Sequence, residues 1–170
     1  MKIAAQSVAI AMALVAVTVV RTQAQTPAAL PAGDEAADRV ALGAKFVQLG
    51  GCDDCHTTKK MGPNGPELDM SRRLSGHPQE MIMPPAQQLP PGPWVATVAG
   101  TLTAWSGPWG VSFSANLTPD PETGLGKWTE EEFLAALQTG RHQGRGRQIL
   151  PPMPWQAFST LPEEDLRAIW

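Results

Sequence analysis

The chain has 170 residues, of which 13 are basic and 16 acidic, for a formal net charge of −3. A nucleic-acid surface therefore has no electrostatic footing. Its 16 glycines and 17 prolines imply long loops and limited helix in a single domain, short of a disordered or collagen-like composition.

Residues 1–24 read as a secretory signal. Lys2 supplies a positive start, Val8 to Val20 is apolar but for Thr18, and Thr22-Gln23-Ala24 offers small residues ahead of a cleavage point. Counted from Ile3, the run approaches membrane-spanning length, weakened by Gln6 and Ser7. An uncleaved anchor, with membrane association through the N-terminus, is the alternative. Both readings place the protein in a periplasmic or otherwise exported compartment. Residues 25–33 form an Ala/Pro/Gln tether, and residues 34–170 form the domain.

Within the domain, Asp34 is placed to cap a helix running to about Leu49, with Gly50-Gly51 stopping it. Val40, Gly43, Ala44, Phe46 and Val47 are its expected buried stripe, Gly43 permitting a close helix crossing. Thr57 to Pro93 reads as mostly loop, because Met61-Gly62-Pro63-Asn64-Gly65-Pro66 and prolines 78, 84, 85, 90, 91 and 93 leave room only for brief turns. Trp94 to Phe113 predicts a short β-hairpin or an extended loop. Thr129-Glu130-Glu131-Glu132 is a capping-box pattern ahead of Phe133, Leu134, Ala136 and Leu137, with Gly140 as the stop. Thr160 to Glu163 repeats the pattern ahead of Leu166, Ile169 and Trp170. That last helix is short, so the C-terminus is read as truncated.

Between the first helix and the loops lies Cys52-Asp53-Asp54-Cys55-His56, which holds the chain's 2 cysteines. Thiols three positions apart lie about one helical turn from each other. Each can add across one of the two vinyl groups on the same edge of a haem, and the following histidine is carried beneath the iron. A thioredoxin-like pair would need a βαβ setting. A structural zinc site needs four ligands, and only His77 and His142 remain to complete one. A plain disulfide is the simplest alternative. An exported compartment suits covalent haem attachment. One motif implies one covalent haem c, whose porphyrin would serve as much of the core.

A six-coordinate electron carrier needs a second axial ligand, usually a methionine sulfur, which favours the ferrous state. The candidates are Met61, Met70, Met81, Met83 and Met153. Met153 sits in Ile149-Leu150-Pro151-Pro152-Met153-Pro154-Trp155, a proline-stiffened loop just ahead of the last helix, and is the expected ligand. Proline limits the freedom of such a loop before it folds. Met81-Ile82-Met83-Pro84-Pro85 is the rival. The commoner fate of methionine is to fill a gap in a core.

Taken together, a helix containing Gly43 and Phe46, the Cys52–His56 motif, a late Pro-Met-Pro loop and a final helix resemble a class I cytochrome c. Asn116-Leu117-Thr118-Pro119-Asp120, Glu122-Thr123-Gly124-Leu125-Gly126-Lys127-Trp128-Thr129, Pro152-Met153-Pro154-Trp155 and Glu164-Asp165-Leu166-Arg167-Ala168-Ile169 resemble, more specifically, single domains of the cytochrome subunits of bacterial membrane-bound alcohol and gluconate dehydrogenases. The likeness covers about Asp34 to Trp170. It implies an all-α, cytochrome c-like domain around one covalent haem, with long Pro/Gly-rich loops and with His56 and Met153 as axial ligands. Those subunits usually carry three haem motifs where this chain has one, and their last helix continues through a Tyr-Leu pair absent here. In class I cytochromes a loop proline carbonyl accepts from the ligating histidine, a role open to Pro63 or Pro66. Trp105, Trp109, Asn116 and Arg147 are candidate haem-pocket or propionate contacts.

Lys59-Lys60 and Arg141, Arg145 and Arg147 add local positive charge that could steer an acidic partner. His77 and His142 read as surface or hydrogen-bonded histidines. Asp53-Asp54 and Glu163-Glu164 sit at helix starts, where dipole and capping effects account for them better than acid–base catalysis. The expected function is that of an exported monohaem cytochrome c passing single electrons from a dehydrogenase donor to an oxidase or cytochrome acceptor, and not that of an enzyme. The alternatives are an obligate redox subunit of a dehydrogenase complex, and a haem oxidoreductase or peroxidase in which Met153 leaves the iron.

Overall fold

A computed structural model describes residues 35–86 and 89–170. The expected signal, tether and Asp34 cap lie outside the described residues. Helix α1, Glu35–Leu49, ends where Gly50 and Gly51 donate to the Phe46 and Gln48 carbonyls. Gly51 then adopts a left-handed φ of 65°, which glycine tolerates best, and starts helix α2, Cys52–His56. Helices α3 (Glu130–Thr139), α4 (Trp155–Phe158) and α5 (Glu163–Ile169) follow late in the chain.

The all-α expectation is overturned. Strands β1 (Lys59–Gly62) and β2 (Gly65–Leu68) form one antiparallel hairpin. Strands β3 (Thr97–Val98), β4 (Ala104–Gly107) and β5 (Gly110–Phe113) form a second antiparallel sheet in the order β3-β4-β5. The described chain is 35% helical and 15% strand, a mixed fold. Two-residue connections explain both hairpins. Pro63-Asn64 leads into Gly65 at φ 116°, and Pro108-Trp109 leads into Gly110 at φ 95°. Proline and positive-φ glycine thus make tight turns here, and the short flanking segments pair across them.

The core is small. Phe133, Leu134 and Leu137 of α3 meet Leu166 of α5, with Leu125, Trp128, Met153, Phe158, Leu161 and Ile169 packed around them. Arg167 reinforces the α3–α5 contact by pairing with both Glu130 and Glu163. Helix α1 crosses α5 at Gly43, the only buried residue of α1. A Cβ there would lie 1.8 Å from the Ala168 carbonyl oxygen. The expected stripe is otherwise only partly realised. Phe46 and Val47 are half-buried, whereas Ala44 is exposed and Val40 is 71% exposed. Contact through one glycine brings the backbones together without a wide apolar seam.

The capping box forms at α3. Thr129 Oγ1 accepts from the Glu132 N–H at 3.2 Å, and the Glu132 carboxylate accepts from the Thr129 N–H at 3.2 Å. Gly140 closes the helix at φ 66°. Thr129→Ala is expected to cost about 1 kcal/mol, read as a lower urea midpoint with an unchanged slope. Hydrogen bonds from Arg145 and Thr129 hold the Glu132 carboxyl below its ordinary value. Its contribution is therefore present at neutral pH and lost as acid takes the solution through the depressed value. The second capping reading fails. Pro162 precedes α5, no side chain caps that helix, and Thr160 donates instead to the Ala157 carbonyl.

Candidate functional site

Helix α2 carries Cys52, Cys55 and His56 on little more than one turn. Both cysteines are free thiols, half-buried and not joined to each other. Burial, then the neighbouring carboxylate (Asp53 for Cys52, Asp54 for Cys55), pushes both thiols above their ordinary value. A nucleophilic or thioredoxin-type cysteine needs the opposite shift.

His56 Nδ1 donates to the Ala115 carbonyl at 2.8 Å. This fixes the tautomer, since a carbonyl can only accept, and leaves Nε2 as the nitrogen with a lone pair. Burial lowers the affinity of His56 for a proton, partly opposed by the Ala115 bond. The partner expected from a loop proline is therefore not Pro63 or Pro66. Pro63 lies in the β1–β2 turn and Pro66 in β2, whereas Ala115 follows β5.

Two distant segments, residues 73–76 and the stretch after β5, hold α2 in place. Ser114 Oγ donates to the Cys55 carbonyl at 2.5 Å, and Gly76 N–H donates to the His56 carbonyl at 2.8 Å. His77 N–H donates to the Ser114 carbonyl, and Leu117 N–H to that of Leu74. Gly76 is buried at φ 75°, and a Cβ there would lie 2.6 Å from the Ser114 oxygen and the Ala115 carbonyl carbon. Glycine lets the two backbones touch at the histidine.

On another side, Arg73 makes a two-pronged pair with Asp53, at 3.0 Å from Nε and 2.9 Å from Nη2. Asp53 also accepts from Thr57 Oγ1, which accepts from the Leu74 N–H. The Arg73 hydrogen bonds hold the Asp53 carboxyl below the usual range. Arg73→Ala is expected to lower the thermal midpoint through a loss of about 1 kcal/mol, the pair being partly exposed to solvent. An unchanged melting curve would show that the pair is only decorative.

Met153 is half-buried against the α3–α5 cluster. Its loop is tied to β5 by Ser112 Oγ, which donates to the Pro151 carbonyl at 2.6 Å. Trp155 then packs over Gly140. Ser112 and Ser114 are two positions apart, on the same side of an extended strand. One strand and its continuation thus grip the Met153 loop through one serine and the cysteine helix through the next. Neither serine was among the sequence-derived site residues. Period-two serine at a strand end was the available signal.

The other candidates are elsewhere. Met61 and Met70 are exposed, Met81 gives its carbonyl to His77 Nε2, and Met83 lines a cleft with Trp105. Asn116 makes a turn, its side-chain oxygen accepting from Thr118 N–H and Oγ1. Trp109 donates to Ser112 Oγ at 3.3 Å. Arg147 is exposed. His77 has both ring nitrogens bonded, to Thr103 Oγ1 and the Met81 carbonyl, and His142 packs edge-on against Trp128. Neither joins the cysteines as a zinc ligand, and no group of three metal-binding side chains occurs among the described residues.

These residues fit a covalently held haem. Two unjoined thiols precede, on one helix, an imidazole whose second nitrogen is already bonded. No long apolar helix able to cross a membrane is found among the described residues.

No family model matches the chain. It is 41% identical over 63 residues to the cytochrome c subunit of the quinone alcohol dehydrogenase of Gluconobacter oxydans, covering 37% of this chain and 13% of that one. It is 37% identical over 67 residues to the fructose dehydrogenase cytochrome subunit of Gluconobacter japonicus, covering 39% and 14%. Over 140 residues it is 32% identical to the gluconate 2-dehydrogenase cytochrome c subunit of Pantoea cypripedii, covering 82% of this chain and 24% of that one. The chain thus spans a quarter or less of these curated relatives. By sequence and by the residues it assembles, it is a homologue of bacterial dehydrogenase cytochrome c subunits.

Proposed function

We propose that the chain is an exported, single-haem electron carrier. Cys52 and Cys55 would hold the haem through thioethers, and His56 and Met153 would be its axial ligands. When bound, the group supplies an iron that alternates between ferric and ferrous states, one electron at a time. The chain's own residues do the rest. His56 presents Nε2 in a fixed tautomer because Nδ1 is bonded to Ala115. Ser114, Gly76 and Arg73 keep the cysteine helix from shifting between redox states. The Met153 loop, tied to Ser112, keeps its sulfur from wandering. An electron donor of this kind needs no substrate pocket.

The Nδ1–Ala115 bond on a helix that also carries two free thiols is the observation that carries the reading. The relatives' names support a dehydrogenase as donor; an oxidase or another cytochrome would be the acceptor. Because those relatives are subunits, a second reading makes the chain a fixed redox subunit of such an assembly. Reversible electron exchange by the free monomer favours the first reading, and strict co-purification with a dehydrogenase the second.

The test is a pyridine haemochrome assay on protein exported in cells with the haem-attachment machinery. Haem is expected to stay with the denatured polypeptide at one per chain. Colourless protein with free or disulfide-joined cysteines would remove the proposal. Two haems per chain would overturn the single-haem count.

A further inference from the structure

The tip of the β4–β5 hairpin reaches the Met153 loop through two side chains. Trp109 is half-buried and lies back over Gly107, where a Cβ would sit 2.5 Å from its Cη2. Its Nε1 donates to Ser112 Oγ at 3.3 Å, and that hydroxyl donates to the Pro151 carbonyl at 2.6 Å. A serine hydroxyl has a single proton. With the indole as donor on one side, that proton is committed to Pro151. Trp109 thus orients the hydroxyl, and hydrogen bonds in such a chain strengthen one another.

The loop has few other means of being held. Pro151 and Pro152 have no N–H, so this backbone cannot join a ladder. Among the described residues, the Ser112 bond is the only hydrogen bond that reaches residues 150–153 from another element. The next backbone ties lie outside them, from Ile149 N–H to the Gly140 carbonyl and from Ala157 N–H to the Pro154 carbonyl. The Met153 side chain rests on the α3–α5 cluster, but an apolar contact has no direction and methionine turns about three bonds. The cysteine helix differs, because Gly76, Arg73, Ser114 and Ala115 all grip it.

We propose that Trp109 and Ser112 are positioning residues that latch the Met153 loop, given Met153 as the axial ligand proposed above. The latch makes the sulfur resist displacement by outside ligands. It keeps the chain an electron carrier and not an oxidoreductase with an open iron position. Neither residue acts on the iron; both act through the Pro151 carbonyl, two residues before the sulfur.

Imidazole titrated into the oxidised, haem-loaded full chain competes with the sulfur and reads how readily the loop lets go. Ser112→Ala is expected to raise the imidazole association constant roughly fivefold, the effect of one neutral hydrogen bond, while keeping the methionine charge-transfer band before imidazole is added. Ser112→Thr, which restores a hydroxyl, should bring it back towards wild type. Trp109→Phe should raise it by less. The Ser112→Ala/Trp109→Phe pair should raise it no more than Ser112→Ala alone, since the indole acts only through the hydroxyl. Ser114→Ala removes a grip on the cysteine helix and should leave imidazole binding unchanged. Wild-type binding by Ser112→Ala overturns the latch. So does an equal rise in Ser114→Ala, which general loosening would produce, or full addition of the two effects in the pair. Should Ser112→Ala not accumulate, Trp109→Phe decides, and unchanged binding there overturns the latch. A wild-type spectrum that Met153→Leu leaves unaltered removes the axial-ligand reading and the latch with it. That failure is seen before any imidazole is added, so the two are told apart.

Discussion

Replacing Met153 by leucine in the haem-loaded protein is expected to remove the methionine charge-transfer band of the oxidised form. The midpoint potential should fall by roughly 0.1–0.3 V, a part of the ~0.8 V span controlled by axial ligation. The thioether stabilises ferrous iron, and leucine keeps the volume while deleting the sulfur. The choice of leucine matters because Met153 also packs against Phe133, Leu134, Leu137 and Leu166. Methionine-to-leucine changes in a core usually cost less than ~1.5 kcal/mol, so the fold survives and the spectrum reports on ligation alone. Met153→Ala would mix the two effects, adding a packing loss of about 1–2 kcal/mol for a half-buried side chain. Met83→Leu is the control. If it, rather than Met153→Leu, changes the spectrum, the ligand lies in the first proline loop and the reading of the Pro-Met-Pro loop is wrong. If neither does, the sixth position is not held by either sulfur.

The features legible in the sequence are those whose cause is local. Gly50-Gly51 ends α1, the Thr129–Glu132 pair caps α3 and Gly140 closes it, because each signal acts within one turn of itself. Cys52, Cys55 and His56 are equally local, three groups on one short helix. The same logic fails where two local signals compete. Thr160 looks like a cap, yet Pro162 begins the helix, and the threonine finds the Ala157 carbonyl instead. The β1–β2 hairpin escapes the sequence for a related reason: Pro63-Asn64 lacks the Asn-Gly or Asp-Gly signature of two-residue hairpins, and the strands beside it are too short to show a period. The hairpin expected within Trp94–Phe113 is present there as β4–β5, with β3 added beside it.

Contacts that hold the site depend on backbone groups far away in sequence. The Ala115 carbonyl lies 59 positions from His56 and carries no side-chain signature, since every residue has a carbonyl. Gly76 could be suspected of positive φ but not of touching Ala115. Ser112 and Ser114 act through the carbonyls of Pro151 and Cys55, partners that a pattern of residue types does not reveal. The residues proposed to hold the group are thus legible as side chains, while the contacts that fix them in place run through backbone carbonyls.

Gly43→Ala is expected to destabilise the protein by about 2 kcal/mol or more, although intrinsic helix propensity predicts the opposite sign. Alanine in place of glycine at an exposed helical position stabilises by about 0.5–1 kcal/mol. At Gly43 the new methyl would lie 1.8 Å from the Ala168 oxygen, in backbone that cannot rotate away. Relief requires α1 and α5 to separate, and overpacking of this kind commonly costs 1–3 kcal/mol or more. The neighbouring position supplies the comparison. Ala44 is exposed, so Ala44→Gly should lose only about 0.5–1 kcal/mol, the propensity term alone. Urea unfolding of the two variants therefore ranks them against propensity, with the chemically gentler change doing the greater harm. The displacement also has a route to the site. Helix α1 passes through only Gly50 and Gly51 before Cys52, and a Cβ at Gly50 would already meet the Phe158 ring at 2.9 Å. Moving α1 off α5 strains that corner, so haem loading during export should fall along with stability. A Gly43→Ala protein that is more stable than wild type and fully loaded would show that the helices do not cross backbone-to-backbone at this glycine.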